Sequence, residues 1–189
     1  MSDITCKSSL KEVALIVCSH LKEDGIDAVL TGGAVVSIYT ENAYESFDLD
    51  FISHTPVSKI SESLAKIGFK KTKGRYYVHP QTDFYVEFPS PPVAVGNKPL
   101  TVFNEIETES GFLKLLTPTQ CVMDRLAAYY YWDDKQSLEQ AILVAKSHEI
   151  SIKEIEEWSE AEGMSEKYGL FIMHHSPLLQ KRPVLPDTH

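Results

Sequence analysis

A chain of 189 residues is long enough to bury one hydrophobic core but too short for two large domains. Hydrophobic residues make up 43% of the sequence and charged residues 24%, which excludes a wholly disordered chain and a fibre. The formal net charge of -9 excludes a surface that binds nucleic acid nonspecifically, so any contact with a nucleotide must be local.

The N-terminal sequence and the cysteines both indicate an intracellular protein. Residues 1–12 lack the basic start and apolar stretch of a secretory signal. Cys6, Cys18 and Cys121 are odd in number and widely spaced, which argues against a disulfide framework and a thiolate zinc site. Apolar runs stay below membrane-spanning length. We therefore expect a cytoplasmic protein with reduced thiols and no membrane partner.

The first part of the chain predicts a helix, a strand and a second helix. A capping box opens the first helix, at about residues 9–24. A short apolar run predicts a strand at 27–31, and helical periodicity resumes at 34–40. Between them lie Gly32 and Gly33, which predict a glycine turn that joins strand to helix.

The middle of the chain predicts two strands that carry acids. Residues 47–51 and 83–88 both alternate between apolar and polar side chains, which is the period of a strand. A helix at about 56–67 and a hairpin at 69–79 separate them. Strands at 101–108 and 112–116 follow.

The last third of the chain changes to helical character, and Thr117 with Gln120 predicts a capped helix start there. We expect three parts: an α/β core at 1–116, a helical segment packed on it at 117–163, and an extended tail at 164–189, where the last thirteen residues hold three prolines. The fold class is α+β, with a mixed β-sheet flanked by helices and a C-terminal helical segment.

Three acids are candidates for a metal site. Asp48 and Asp50 project from one face of a strand, with α-carbons about 6.5 Å apart. If the strand that carries Glu87 lies beside it, about 4.8 Å away, Glu87 completes a cluster of three carboxylates. Magnesium prefers such hard oxygen ligands and takes the rest of its shell from water and phosphate, and manganese is the alternative metal.

The glycine turn is a candidate phosphate site. Without a β-carbon, Gly32 and Gly33 let the backbone approach a ligand closely. The helix that follows offers unpaired amide donors and a favourable dipole to a phosphate. Along the chain, the candidate phosphate-binding turn therefore comes first and the two candidate metal-binding acids follow. The third acid lies on another strand.

These segments resemble a known family. The sequences TGGAVVSIY at 31–39, SFDLDF at 46–51 and VEF at 86–88 are similar to the pattern of the nucleotidyltransferase superfamily. The two-glycine turn followed by an S/T-x-D-h-D-h strand resembles the AbiEii-type nucleotidyltransferase toxins more than the polymerases. The resemblance spans about residues 28–145 and implies a nucleotidyltransferase-like fold.

What the resemblance implies is transfer of a nucleoside monophosphate from a nucleoside triphosphate, with pyrophosphate as the leaving group. Asp48 and Asp50 would be metal ligands, and Glu87 would bind a second metal and help to activate the attacking hydroxyl. Two metals about 3.5–4 Å apart would stabilise the entering and leaving oxygens.

The resemblance also suggests nucleotide-binding residues and points to two departures from the family pattern. Many members have serine where this chain has Gly33, and we expect the hydroxyl of Ser46 to take its place. Arg125, in the helical segment, is the candidate for the triphosphate contact. The segment TENAYES at residues 40–46 lacks a basic residue just before the acidic strand.

Three functions remain open at this stage. The first is an enzyme whose acceptor is an RNA end, such as a tRNA acceptor stem, or a protein hydroxyl. The second is a noncatalytic protein, such as one half of a toxin-antitoxin pair with a cognate antitoxin, that keeps the fold and binds only nucleotide or partner. The third is a small-molecule nucleotidyltransferase of the antibiotic-modifying kind.

The hairpin at 69–79 has two interpretations. Its cations and aromatic residues, Lys70, Lys71, Lys73, Arg75, Tyr76 and Tyr77, could guide a nucleic-acid strand. Lysines on an exposed hairpin also keep an edge strand from aggregating, and we favour that interpretation.

Overall fold

The structure is a computed structural model and describes residues 3–175. The helices are α1 (Leu10–Glu23), α2 (Gly32–Tyr39), α3 (Val57–Lys66), α4 (Pro118–Trp132), α5 (Lys135–Ser147), α6 (Ile152–Ala161) and α7 (Ser165–His175). The strands are β1 (Val29–Thr31), β2 (Asp48–Ile52), β3 (Lys70–Lys71), β4 (Tyr77–Val78), β5 (Tyr85–Glu87), β6 (Ala94–Val95), β7 (Lys98–Pro99), β8 (Asn104–Thr108) and β9 (Gly111–Leu115).

Seven strands form one mixed sheet in the order β3-β4-β5-β2-β1-β9-β8. The pairs β2/β5 and β1/β9 are parallel, and the other four pairs are antiparallel. Helices flank this sheet, and the predicted α+β class with a C-terminal helical segment is confirmed. The two acid-bearing strands are neighbours at the centre of the sheet.

Alternation along β2 explains why its acids face away from the core. Leu49 and Phe51 are fully buried, whereas Asp48 and Asp50 are only partly buried. Because successive side chains of a strand point to opposite faces, the apolar pair fixes the strand and aims the acids at the other face.

Two capping boxes set the starts of long helices. Ser9 and Glu12 cap α1, and Thr117 and Gln120 cap α4, each through a reciprocal pair of side-chain and backbone hydrogen bonds. Each box satisfies amides that would otherwise lack a partner at a helix start. Both starts were predicted from sequence.

One hydrophobic core joins the sheet to the C-terminal helices. Helix α1 packs on β9 and α3, while α2 packs on β1 and β2 on one side and on α4 and α5 on the other. The buried cluster accordingly includes residues of both regions, among them Leu30, Phe51, Val122, Leu126 and Trp158. The division into a core and a packed helical segment stays a prediction.

Two segments differ from the prediction. Residues 165–175 form helix α7 rather than an extended tail, because Tyr168 and Phe171, three positions apart, pack on the core. The prolines that suggested a tail all follow residue 175, and that part of the prediction lies outside the described residues. Between the strands predicted at 83–88 and 101–108, where no element was predicted, lies the small hairpin β6–β7.

The helices within residues 3–175 include none that is long and apolar enough to span a membrane.

Candidate active site

Gly32 turns the chain between β1 and α2 where a side chain would not fit. Its φ is +73°, in the left-handed region that favours glycine. A β-carbon at this position would lie 2.6 Å from Oδ2 of Asp50. The glycine turn therefore lies directly against a carboxylate of β2.

The three predicted acids lie on two neighbouring strands beside this turn. Asp50 is the register partner of Glu87 across the parallel β2/β5 pair, and Asp48 is the partner of Tyr85. Partners in register project from the same face of a sheet, as do residues two apart on one strand. The three carboxylates therefore share one face, opposite the buried Leu49.

The negative charge of this cluster is incompletely balanced. Burial raises the pKa of Asp50 to about 7, and the neighbouring charges of Asp48 and Glu87 contribute to the same rise. The positive charge of Arg125 opposes that rise in the pKa. Asp50 therefore keeps its proton up to about neutral pH unless additional positive charge enters the site.

Ser46 lies between the second glycine and the first acid. Its hydroxyl donates a short hydrogen bond to Oδ1 of Asp48. A β-carbon on Gly33 would lie 3.1 Å from the Ser46 hydroxyl oxygen, so Ser46 occupies the space beside that glycine. The hydroxyl thus lies at the turn, and its role as a phosphate contact stays a prediction.

The start of helix α2 has no side-chain cap. Thr31 is the N-cap residue, but its hydroxyl donates to the main-chain carbonyl of Asp50, at 3.1 Å. Amides in the first turn of a helix need partners from outside the helix. The turn can therefore offer N–H donors to an anion next to the acids.

Arg75 contacts the third acid. Its Nε lies 2.6 Å from Oε1 of Glu87, whose side chain is 9% exposed, while that of Arg75 is 72% exposed. Arg75 belongs to the turn between β3 and β4, and β4 pairs with β5. An exposed arginine thus reaches from the hairpin to a buried carboxylate.

Arg125 is held within the helical region. Its guanidinium donates to Oδ2 of Asp124 through Nε at 3.0 Å and Nη2 at 2.5 Å, and Nη1 donates to Gln140 at 3.4 Å. Its positive charge nevertheless lowers the pKa of Asp50, against the larger effect of burial. Its predicted contact with a triphosphate stays a prediction.

The acids suit a hard divalent cation. Carboxylate oxygens are the ligands that magnesium prefers, and a cation would offset the burial and the like-charge repulsion that raise the pKa of Asp50. As the side chains stand in residues 3–175, however, no three His, Cys, Asp or Glu residues form a group that could hold a metal ion. One oxygen of Glu87 is paired with Arg75 as the side chains stand, and a cation bound through all three acids would compete with that pair.

The structure brings together most of the predicted site residues at one edge of the glycine turn: Gly32, Gly33, Ser46, Asp48, Asp50 and Glu87. Arg125 lies close enough to influence Asp50 but is tied to its neighbour. The residue that sequence reasoning missed is Arg75, which was interpreted as edge protection. Its position depends on the strand order β4-β5-β2, and no local spacing signals that order.

Comparison with known proteins supports the fold at low sequence identity. No family model and no curated protein matches the sequence. The chain is similar to the crystal structure of an antigenic nucleotidyltransferase-like protein from Paracoccidioides brasiliensis, with a TM-score of 0.65 and 14% identity over 93% of each chain. The chain therefore has a nucleotidyltransferase-like fold.

Two structures of the antibiotic-resistance factor ANT(2'')-Ia also align. The solution structure has a TM-score of 0.48 and 11% identity, covering 90% of this chain and 95% of that one. The crystal structure in complex with adenylyl-2''-tobramycin has the same TM-score and identity, covering 88% and 98%. At TM-scores below 0.5, these likenesses add nothing to the assignment.

Proposed function

We propose that this protein transfers a nucleoside monophosphate from a nucleoside triphosphate to an acceptor hydroxyl, with magnesium or manganese as cofactor. The observation that carries the proposal is the register of Asp50 with Glu87 on neighbouring parallel strands, with Gly32 packed against Asp50. A turn that can bind phosphate and a cluster of acids then share one site.

Each part of the site has a role in this reaction. Asp48 and Asp50 would hold the metal beside the phosphate-binding turn. Glu87 would be a further ligand and would take the proton of the acceptor hydroxyl. When bound, divalent cations neutralise the charge on the entering and leaving oxygens. The acceptor oxygen forms a bond to the α-phosphorus, and the bond to pyrophosphate breaks.

The nucleotide is held by the glycine turn. The backbone amides of Gly32 and Gly33, at the uncapped start of α2, donate to the phosphates. Ser46 adds a hydroxyl, and Arg125 contributes positive charge from α4. Since Asp48 accepts from Ser46 and Gly32 contacts Asp50, the phosphate and metal sites are adjacent.

The acceptor in this proposal is an RNA end or a protein hydroxyl. The two-glycine turn and the SFDLDF strand resemble AbiEii-type toxins, so the protein would act as the toxin of a toxin-antitoxin pair and be neutralised by a cognate antitoxin in the cytoplasm. Support for this part comes from the sequence pattern at residues 31–51.

Label transfer tests the proposal directly. The protein is incubated with each α-labelled nucleoside triphosphate, magnesium, and either total RNA or lysate protein. We expect label in one acceptor class, its loss with Asp50→Ala, and its retention with Asp27→Asn. Asp27 is a suitable control because its carboxylate is 79% exposed and pairs with Lys114, away from the acids.

A noncatalytic binding protein is the second candidate, and one observation favours it. Glu87 is engaged by Arg75, so the third ligand is not free as the side chains stand. Absence of transfer to every acceptor, together with nucleotide binding that is indifferent to magnesium, would select this alternative.

A further inference from the structure

We propose that Arg75 is a triphosphate-binding residue that pairs with Glu87 only in the nucleotide-free protein. When metal and nucleotide enter, Glu87 turns to the metal and the Arg75 guanidinium moves to the triphosphate. This inference rests on the proposed function. It assigns to Arg75 the role of the basic residue that residues 40–46, just before β2, lack.

The first observation is the unequal exposure of the two partners. The Glu87 side chain is 9% exposed and that of Arg75 is 72% exposed, although Nε and Oε1 are 2.6 Å apart. A buried carboxylate needs a partner, whereas an exposed guanidinium remains well solvated without one. Glu87 therefore requires some cation, and Arg75 does not require Glu87.

The second observation is the placement of Arg75 on an exposed turn. The turn between β3 and β4 is closed by a hydrogen bond from the amide of Thr72 to the carbonyl of Tyr76, at 2.8 Å. The guanidinium lies 5.5 Å from the ring centre of Tyr76, which is itself exposed. Moving the charge requires only the rotation of an exposed side chain, so the exchange costs little free energy.

The third observation is the contrast with Arg125. Three nitrogen atoms of Arg125 donate to Asp124 and Gln140 beside it in the helical region, and its side chain is 17% exposed. Freeing those donors would leave the partly buried Asp124 without its cation. Arg125 therefore supplies a fixed charge, whereas Arg75 can change partners.

Competition between cations explains the exchange. Glu87 is a ligand that a divalent cation would use, and a hard divalent ion binds a carboxylate more strongly than an exposed guanidinium does. The released guanidinium then starts from a position next to the acids, because Glu87 is the register partner of Asp50, and Asp50 contacts the glycine turn where the triphosphate would bind. Its planar fork fits phosphate oxygens.

The experiment compares Arg75→Gln with Lys73→Gln. Lys73 is an exposed cation on the same turn, so its loss reports the general effect of removing one charge. Three affinities are measured by calorimetry for each variant: manganese without nucleotide, ATP with manganese, and AMP with manganese.

We expect Arg75→Gln to tighten manganese binding by about threefold and to weaken ATP binding by about tenfold. AMP binding should change little, because AMP lacks the β- and γ-phosphates. Lys73→Gln should change all three affinities by less than about twofold. Arg75→Lys should restore part of the ATP affinity, since lysine supplies charge without the fork.

The outcomes separate this inference from the proposed function. If wild type binds manganese and ATP but Arg75→Gln behaves like Lys73→Gln, Arg75 has no special role and the proposed function stands. If wild type binds neither ligand, both ideas fail. A drop in ATP and AMP affinity by the same factor would also overturn the triphosphate assignment.

Discussion

The pairing of polar groups differs between the centre of the sheet and the C-terminal helices α4 to α7. In the helices, several polar groups have partners: the Tyr130 hydroxyl is paired with that of Ser159 at 2.9 Å, and Lys167 donates to two carbonyls and to Asp133. At the sheet centre, Asp48, Asp50 and Glu87 gather on one face, and burial together with the charges of Asp48 and Glu87 raises the pKa of Asp50.

This difference supports the proposed location of the function. Satisfied hydrogen bonds stabilise a fold, whereas a cluster of like charges costs stability and is typical of a site where a ligand uses it. The proposal therefore places the binding chemistry at the sheet centre and gives the helices a supporting role. Changes at the centre should alter ligand binding and transfer, and changes in the helices other than at Arg125 should alter stability alone.

The largest effect is expected for Asp50→Asn on transfer activity. Removing this ligand leaves the metal site without a carboxylate at its centre, and we expect the transfer rate to fall by about 10³-fold or more. The measurement is label transfer under saturating nucleotide and magnesium. A fall of less than tenfold, or an equal fall in Asp27→Asn, would contradict the assignment of the site.

The same substitution should stabilise the metal-free protein at high pH. The pKa of Asp50 in the folded protein, about 7, lies above its ordinary value of 3.8, so the folded state binds more protons between these pH values. Stability from this group is complete below about pH 4 and falls as pH rises to about 7.

Asp50→Asn removes this loss, because the amide is neutral at every pH. In a chelator at pH 8, we expect the free energy of unfolding to rise by about 3 kcal/mol, and at pH 4 to change little. Urea unfolding at both pH values checks this. Equal effects at pH 4 and pH 8 would show that the charge of Asp50 is not the cause.

Gly32→Ala should destabilise the protein more than Gly25→Ala. Both glycines have nearly the same φ, +73° and +74°, but a β-carbon meets the Asp50 carboxylate only at Gly32. We expect losses of about 2–3 kcal/mol at Gly32 and about 1 kcal/mol at Gly25 in urea unfolding. Equal losses would mean that the turn and the carboxylate are not in close contact.

The smallest effect is expected in the helices. Tyr130→Phe removes the hydroxyl that pairs with Ser159 in the buried contact between α4 and α6, and should cost about 1 kcal/mol of stability. Manganese affinity and transfer rate should match those of wild type. A change in either quantity would contradict the proposed division between a catalytic centre in the sheet and helices that only support it.

Local signals predicted much of the fold. Alternation along residues 47–51 predicted β2, and the Thr117 and Gln120 pair predicted the start of α4. Such patterns act within a few residues and can be recognised in sequence. Helix α7 was missed because the prolines beyond residue 175 suggested an extended tail, while the packing of Tyr168 and Phe171 depends on distant partners.

The parts of the candidate site that depend on the two-residue repeat of a strand could be predicted from the sequence. The parts that depend on the order of strands in the sheet could not. The shared face of Asp48 and Asp50 follows from their spacing of two. The neighbouring position of Glu87 was stated as a condition, and the parallel pair β2/β5 meets it. The contact of Arg75 with Glu87 crosses two strand pairs, so the charge pattern of the hairpin alone could not place it.

A crystal structure with manganese and a nonhydrolysable nucleoside triphosphate tests the central claim most directly. The account predicts anomalous density within about 2.3 Å of carboxylate oxygens from Asp48, Asp50 and Glu87, with the triphosphate on the Gly32 turn. Manganese bound elsewhere, or Glu87 still paired with Arg75 beside a bound nucleotide, would contradict it.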